Sequence, residues 1–343
     1  MNRPTISDVA RAAGVSVATV DRVLSGRAKV REETAQRVQN AASAVGYHGA
    51  NAIRQRVLSS KPKLRIGVLL QKERHAFYKA FQEEFQAQCE RLVDREVRLT
   101  TRFATSTRPD ELANLLRSFR GQVDVIAATC IDHQEVTAAV SDLRQSGIPT
   151  FSMLSDFAQG VRESYFGLNN LRVGRTAGWL ISQIAKKPGK VGLFIGAYRY
   201  HGHELRETGM RSYFREYAPE FQLLDAQINL ETRHLTEEAT TQLLERYPDL
   251  VGLYVAGGGM EGAIAAFEQH GATEWCSLLV NEITPVSYKG LQSRSVSIVF
   301  ATPLRELVTE LLLLAVSKVD NGLAETPGQR FFSPIIYTPE SLS

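Results

Sequence analysis

Cysteine is scarce: Cys89, Cys130 and Cys276 are the three thiols in 343 residues. Wide spacing and an odd number speak against a disulfide framework or a cysteine zinc site. Long apolar runs are lacking too. ELLLLAV near residue 310 is too short to cross a bilayer, and the opening MNRPTISDVARAAG has no apolar stretch of the signal-peptide kind. A reduced, cytoplasmic protein without membrane contact is the expectation. Catalytic signatures are missing: there is no GxSxG, no HExxH and no cysteine with a plausible paired base. Cys130, behind a strand, is the one thiol worth checking, and a cleft-wall or structural role is the simpler reading. Neither internal repeats nor low-complexity tracts occur. These absences argue against an enzyme, a metal site or a cofactor.

What is present is unevenly charged. The net charge is only +3, yet residues 1 to 60 hold nine Arg or Lys against four acids, leaving +5 there and −2 on the remainder. A basic module ahead of a slightly acidic body suits a phosphate-binding head on a body with another task.

The stretch ISDVARAAGVSVATVDRVLSGRAKVREETAQRVQNAASAV, residues 6–45, reads as three short helices. Ile6, Val9, Ala10 and Ala13 recur at i, i+3, i+4, i+7, as do Val38, Ala41, Ala42 and Val45. Gly14 can end the first helix in the left-handed conformation, and Ser16 can cap the second, which buries Val20, Val23 and Leu24. Two helices joined by a Gly-containing three-residue turn form the helix-turn-helix pattern, whose second helix enters the major groove. The bland alternative is a three-helix bundle that binds nothing. The residues themselves go further: ISDVARAAGVSVATVDRVLSGR closely resembles the DNA-binding headpiece of the lac repressor (LacI–GalR) family, with Gly46-Tyr47 where that headpiece ends.

Val17, Ala18 and Arg22 lie opposite the buried face of the second helix. Arg22 suits bidentate donation to guanine O6 and N7, worth roughly 1–3 kcal/mol of discrimination, whereas Val17 and Ala18 can read only thymine methyls or shape. The resemblance implies that these three positions read the operator. Thr5, Ser16, Thr19, Ser25, Arg31 and Thr34 resemble its phosphate contacts. Asp21 is unusual on a face turned to phosphate; it either orients Arg22 or repels certain sites. In the family the following connector, GYHGANAIRQRVLSSK, is a hinge that folds on DNA and wedges a leucine into the minor groove. Here the expected proline after Tyr47 is missing and Arg56 stands in the leucine's place. Ile53 or Val57 is then a substitute wedge, Arg56 a probe of a narrow A/T-rich groove, or the connector is merely flexible.

From Leu64 onward, alternating apolar strands and amphipathic helices indicate an α/β body with parallel sheets. The resemblance implies two doubly wound lobes of the periplasmic binding protein type I fold, crossed three times by the chain. Crossings are placed near Val161, Lys289 to Gln292, and Asn321-Gly322. The organisation read from the sequence is therefore an all-α helix-turn-helix headpiece over 1–46 and a hinge over 47–61. An N-terminal lobe follows from 62–161 and 291–321, and a C-terminal lobe from 162–290 and 322–343.

Ligands in such sheets lie beyond the carboxyl ends of the strands, so the loops there supply the candidates. Phe77 and Tyr78 match the aromatic pair that sandwiches a pyranose in ribose-type binding proteins; a helix face turned to the core is the alternative. Asp132 and Asp156 could accept hydroxyl hydrogen bonds. Arg199 and Arg206, in AYRYHGHELRE, suit a carboxylate, a phosphate or a hydroxyl-rich sugar. His201, His203 and Glu204 fit no zinc spacing. Asn169 and Asn170 read as helix caps. AGGGMEG lacks the Lys-Ser/Thr of a phosphate loop and contributes Gly258 and Glu261 as candidates. Many relatives carry an Asn-Asp pair in this turn, where Met260 and Glu261 follow the glycines here, and Asn281 and Glu282 stand where relatives often show Gly-Asp. These departures weaken any specific sugar assignment.

Together these residues indicate a sequence-specific regulator, a repressor by the resemblance, acting on double-stranded DNA with a pseudo-palindromic operator. A homodimer or tetramer is expected, gated by a small sugar-like effector. The competing classes are a transport-type solute-binding protein, which the head opposes, an enzyme on the same body, and a DNA-binding dimer that has lost its effector.

Overall fold

The computed structural model describes residues 3–26, 30–59 and 61–342, without the side chains of residues 32, 55, 56, 58 and 59. Two compact units emerge, residues 1–64 with 90–98, and residues 65–89 with 99–343.

In the first unit, helices α1 (Ile6–Ala13), α2 (Val17–Ser25), α3 (Glu32–Ala44) and α4 (Ala50–Ser59) follow in order. Local chemistry sets their ends. The Thr5 N–H and hydroxyl both donate to the Asp8 carboxylate at 2.9 and 2.7 Å, and Gly14 closes α1 at φ 64°. Ser16 Oγ accepts the Thr19 N–H at 3.2 Å, opening α2, and Gly26 ends it at φ 63°. The core holds Val9, Ala10, Ala13, Val20, Val23, Val38, Ala41, Ala42 and Tyr47.

The same core contains Ile53 and Val57, 0% and 3% exposed. This corrects the wedge reading: both side chains face inward, on a helix that completes the head as its fourth member. Gly49 makes the approach possible, since a Cβ there would meet the Tyr47 ring at 2.6 Å. The physical reason is the i, i+4 spacing of two large aliphatics in an otherwise polar stretch, each worth roughly 1.5–3 kcal/mol when buried. The Arg56 side chain lies outside the described residues.

The larger unit is built on two sheets. The first takes β1 (Lys63–Gln71), β2 (Glu96–Ala104), β3 (Val125–Ala128), β4 (Thr150–Met153) and β5 (Ser164–Leu168), with helices α5 (Ala76–Arg91), α6 (Pro109–Arg117) and α7 (Gln134–Gln145) between strands. The second takes β6 (Lys190–Ile195), β7 (Gln222–Leu223), β8 (Gln227–Ile228), β9 (Leu250–Val255), β10 (Ser277–Asn281) and β11 (Ile298–Ala301). Its helices are α8 (Asn170–Ile184), α9 (His201–Tyr217), α10 (Arg233–Arg246), α11 (Met260–His270) and α12 (Pro285–Gln292). Helix α13 (Leu304–Asn321) and strands β12 (Gly328–Phe332) and β13 (Ile335–Tyr337) close the chain.

The first sheet runs β12-β5-β4-β3-β1-β2; the second runs β13-β11-β10-β9-β6-β7, with β8 also on β6. Strands β3, β4, β5, β9, β10 and β11 are buried along their whole length, as parallel strands covered on both faces should be. β13 runs antiparallel to its neighbour β11, whereas the pairs β1–β3, β3–β4, β4–β5, β6–β9, β9–β10 and β10–β11 are parallel.

Strand pairing moves all three crossings. β5 pairs with β4 and β12, so the first crossing falls at residues 168–170 rather than near Val161. β11 pairs with β10, so residues 291–301 belong to the C-terminal lobe and the second crossing follows Ala301. β12 pairs with β5 and β13 with β11, so the third falls at Ser333-Pro334, not Asn321-Gly322. The segment FFSPIIY, one strand by its apolar pattern, is thus two strands in two sheets, broken where proline offers no N–H. The segment FQLLDAQIN, residues 221–229, forms two short strands, β7 and β8.

Buried charge ties the first lobe together. The Glu163 carboxylate accepts from Arg144 Nη1 and Lys318 Nζ, both at 3.1 Å, and from the Ala324 N–H at 2.8 Å. Helices α7 and α13 are thereby fastened to the start of β5.

Candidate functional sites: a helix-turn-helix face and a cleft between lobes

On the head, α2 presents Val17, Ala18, Asp21 and Arg22 to solvent. Val17 is 48% exposed, at the first position of the helix. Thr5, Ser16 and Arg31 are exposed, and Thr19, Ser25 and Thr34 half-buried. The face thus offers hydroxyls and guanidinium around two small apolar side chains, the mixture that sorts into phosphate and base contacts.

In the body, a cleft opens between the two lobes, lined from both. Among the sequence candidates, Phe77, Tyr78, Arg206, Gly258, Asn281 and Glu282 line it. Phe77 and Tyr78 are edge-to-face neighbours, 5.3 Å between centroids, and Phe77 also packs on Phe81. The two readings of the pair therefore coexist, since Phe77 is largely core and Tyr78 the half-buried wall.

Arg206 is placed by close helix packing. A Cβ on Gly174 of α8 would lie 1.9 Å from the Arg206 carbonyl oxygen, and one on Gly209 would lie 2.1 Å from that of Leu171. With glycine at both contacts, α9 sits against α8 and Arg206 projects into the cleft. Its Nε donates to Asn170 Oδ1 at 2.8 Å and its Nη1 to the Ala256 carbonyl at 2.5 Å. Of the two expected caps, Asn169 caps α8, its Oδ1 accepting the Arg172 N–H at 3.1 Å, whereas Asn170 orients the guanidinium. Asn281 Nδ2 donates to the Val255 carbonyl at 2.7 Å. Glu282, at φ 67°, accepts from the Thr302 N–H at 2.9 Å and the Thr302 hydroxyl at 2.6 Å. Burial pushes its carboxyl above the usual range against those hydrogen bonds.

Four candidates lie elsewhere, and each has a local reason. Asp156 is buried and clamps Arg162 at 2.5 and 2.7 Å while accepting the Ser152 hydroxyl at 2.6 Å. Asp132 is exposed and accepts the Ala158 N–H at 3.2 Å. Arg199 is exposed. Glu261 sits behind the lining, 3.5 Å from His75 Nε2. None of the four lines the cleft.

The sequence reading missed a charged network in the cleft. Lys72 Nζ donates to Glu231 Oε2 and to the Glu231 carbonyl, both at 3.0 Å. Glu231 Oε1 accepts the Gly258 N–H at 3.2 Å and lies 3.9 Å from His203 Nε2. Burial works against the charged form of Glu231, but the Lys72 ammonium beside it and the Gly258 N–H help to hold the carboxyl below the usual range. His203 is driven down to about 4 by burial, with Arg206 and Lys72 acting the same way and Glu231 opposing. It is a neutral imidazole whose Nδ1 accepts the Gly196 N–H at 3.2 Å. Tyr200 donates its hydroxyl to Gln71 Oε1 at 2.5 Å, a second bond from lobe to lobe. Cys130 lines the cleft fully buried, and burial raises its thiol pKa.

The glycines of AGGGMEG now have a reason. A Cβ on Gly257 would lie 2.5 Å from the His203 ring, and one on Gly258 would lie 2.9 Å from the Glu231 Cβ. Their absent side chains are the space that His203 and Glu231 occupy, a signal visible in the sequence as a glycine run but not as a named partner. Among the described residues, no group of three His, Cys, Asp or Glu is placed to hold a metal ion, and no helix is long and apolar enough to cross a membrane.

Residues 66–322 match the periplasmic binding protein domain family, and residues 5–49 match the bacterial regulatory proteins of the lacI family. The HTH-type transcriptional regulator GntR of Pseudomonas aeruginosa is 29% identical over 267 residues, 76% of this chain and 74% of its own. The HTH-type transcriptional regulator GalS of Salmonella typhimurium is 44% identical over 77 residues, 22% of each chain. Among solved structures, a periplasmic solute binding protein of an ABC transporter from Actinobacillus succinogenes, with bound D-allose, aligns at TM-score 0.73 and 18% identity over 82% of this chain and 98% of that one. GanP, a glucose-galactose binding protein from Geobacillus stearothermophilus, aligns at 0.74 and 16% over 82% and 99%. The structural likenesses give the body its fold, the type I periplasmic binding protein; the sequence matches give the whole its class, one of regulators and not of enzymes. The chain belongs to the lacI family of transcriptional regulators, with a DNA-binding helix-turn-helix head and a periplasmic-binding-protein-like effector domain.

Proposed function

We propose that this regulator binds a pseudo-palindromic operator as a homodimer and that a small polyhydroxylated metabolite in the interlobe cleft changes its operator affinity. The observation that carries the proposal is the lining of the cleft. Tyr78 offers an aromatic wall, and around it Gln71, Thr129, Ser155, Arg206, Asn281 and Glu282 converge from both lobes. An aromatic face with convergent polar groups is how a sugar ring and its hydroxyls are held. The D-allose and glucose-galactose binding proteins share the fold and point the same way. In this reading Arg22, Val17 and Ala18 meet bases, while Thr5, Ser16, Thr19, Ser25, Arg31 and Thr34 meet phosphate. The ligand acts by population shift, binding one arrangement of the lobes better than another.

The test is calorimetry on the full-length protein with monosaccharides, alditols and sugar acids, followed by operator binding with and without each binder. A compound that binds and shifts operator affinity supports the reading. No binder across the panel would leave a DNA-binding dimer without an effector.

A further inference from the structure

Two charged groups of the cleft lining, Lys72 and Glu231, are already paired with each other. Lys72 comes from the loop after β1 and Glu231 from the loop after β8, so their salt bridge spans the two lobes. Both residues hold a left-handed backbone that non-glycine residues rarely adopt, Lys72 at φ 47° and Glu231 at φ 52°, with Leu230 at 49° before it. Surrounding structure fixes the unusual turn: the Glu231 N–H donates to Asn229 Oδ1 at 2.9 Å, and Asn229 Nδ2 donates to the Gly258 carbonyl at 2.8 Å. Asn229 is 1% exposed. The second cation, Arg206, has its Nε and Nη1 committed to Asn170 Oδ1 and the Ala256 carbonyl.

We propose that the Lys72–Glu231 pair is a specificity filter that admits uncharged polyols and sugars to the cleft and rejects their anionic counterparts. The proposal rests on the effector reading above and adds the charge class to it. A neutral ligand leaves the Lys72–Glu231 pair in place. A carboxylate or phosphate either meets Glu231 and Glu282 at close range or draws Lys72 away. In the second case Glu231, whose side chain is 13% exposed, is left without its cation, and an unpaired buried charge is costly. His203 brings no positive charge to offset either course, since it is held neutral. His75 faces the carboxylate of Glu261.

The deciding experiment titrates the full-length protein with matched probes: D-glucose, D-galactose, D-ribose, D-sorbitol and myo-inositol against D-gluconate, D-glucuronate and D-glucose 6-phosphate. The expected result is binding by at least one neutral compound and affinity at least about tenfold lower for its anionic counterpart, a modest share of the Coulomb energy at such distances. In E231Q, which frees the Lys72 ammonium, the order should invert, with at least about a tenfold gain for the anion. Wild-type protein that takes an anionic probe as tightly as its neutral counterpart overturns the filter while leaving the effector reading intact. Unchanged preference in a folded E231Q also overturns it. If E231Q does not fold, the wild-type comparison decides alone. Silence from every probe, read by calorimetry and by thermal shift, refutes the effector reading and the filter together.

Discussion

At the scale of single residues, the head and the cleft put charge to different uses. Arg22 is exposed on α2, free to exchange water for a guanine edge. Replacing it with alanine should flatten base preference at one or two positions per half-site, costing about 1–3 kcal/mol at those positions. A binding selection on the variant checks this; weakening that is uniform across all sequences would assign Arg22 to phosphate instead. In the cleft, the buried His203 makes stability depend on pH. Its pKa falls from 6.5 to about 4 on folding, so the unfolded chain binds the extra proton first. The contribution is complete above pH 6.5 and is lost as pH falls toward 4, to a limit of about 3 kcal/mol. H203Q should therefore lose less stability than the parent between pH 7 and 5 in chemical denaturation. An identical loss in both proteins would place the acid sensitivity elsewhere.

The elements show where the sequence was legible. Helices α1, α2 and α3 announce themselves, because apolar spacing, Gly14 and Ser16 all act within a few residues of one another. Tyr78, Arg206, Asn281 and Glu282 line the cleft because the segments that follow parallel strands converge in space. Glu231 was not legible: its partners Lys72, His203 and Gly258 are brought together by two sheets, and no local pattern marks it. The crossings failed for the same reason, since β5, β11 and β12 read as good strands for either sheet and only pairing chooses between them. Asp156 looked like a ligand group on position alone, but Arg162, six residues on, neutralises it first. The hinge inverted its expected role because Ile53 and Val57 found apolar partners within the head. I53A should accordingly destabilise the head by about 2–4 kcal/mol, as a buried aliphatic lost from a packed core, measured by amide exchange across residues 6–57. No change in protection would return α4 to the role of a free connector. At the α8–α9 contact, G174A places a methyl on the Arg206 carbonyl. Ligand affinity should fall several-fold with the fold retained, read by calorimetry and melting temperature.

Across the whole molecule, the two units divide recognition. The head is four helices around a core of their own and carries the helix-turn-helix; the body carries a cleft whose walls come from both lobes. A body lacking residues 1–60 should lose DNA binding and keep its ligand affinity within about twofold, well under the tenfold that 1.4 kcal/mol represents. A large loss of affinity would mean that the head helps to build the cleft.

The central claim, a DNA reader gated by its cleft, is tested most directly by selecting bound duplexes from a random library with the full-length protein at physiological salt. The selected site should then be titrated with each compound that binds the body. Enrichment of a twofold-symmetric site whose affinity changes with a neutral polyol or sugar is the predicted result. Unselective binding that fades steeply with salt, or a selected site indifferent to every compound that occupies the cleft, would contradict it.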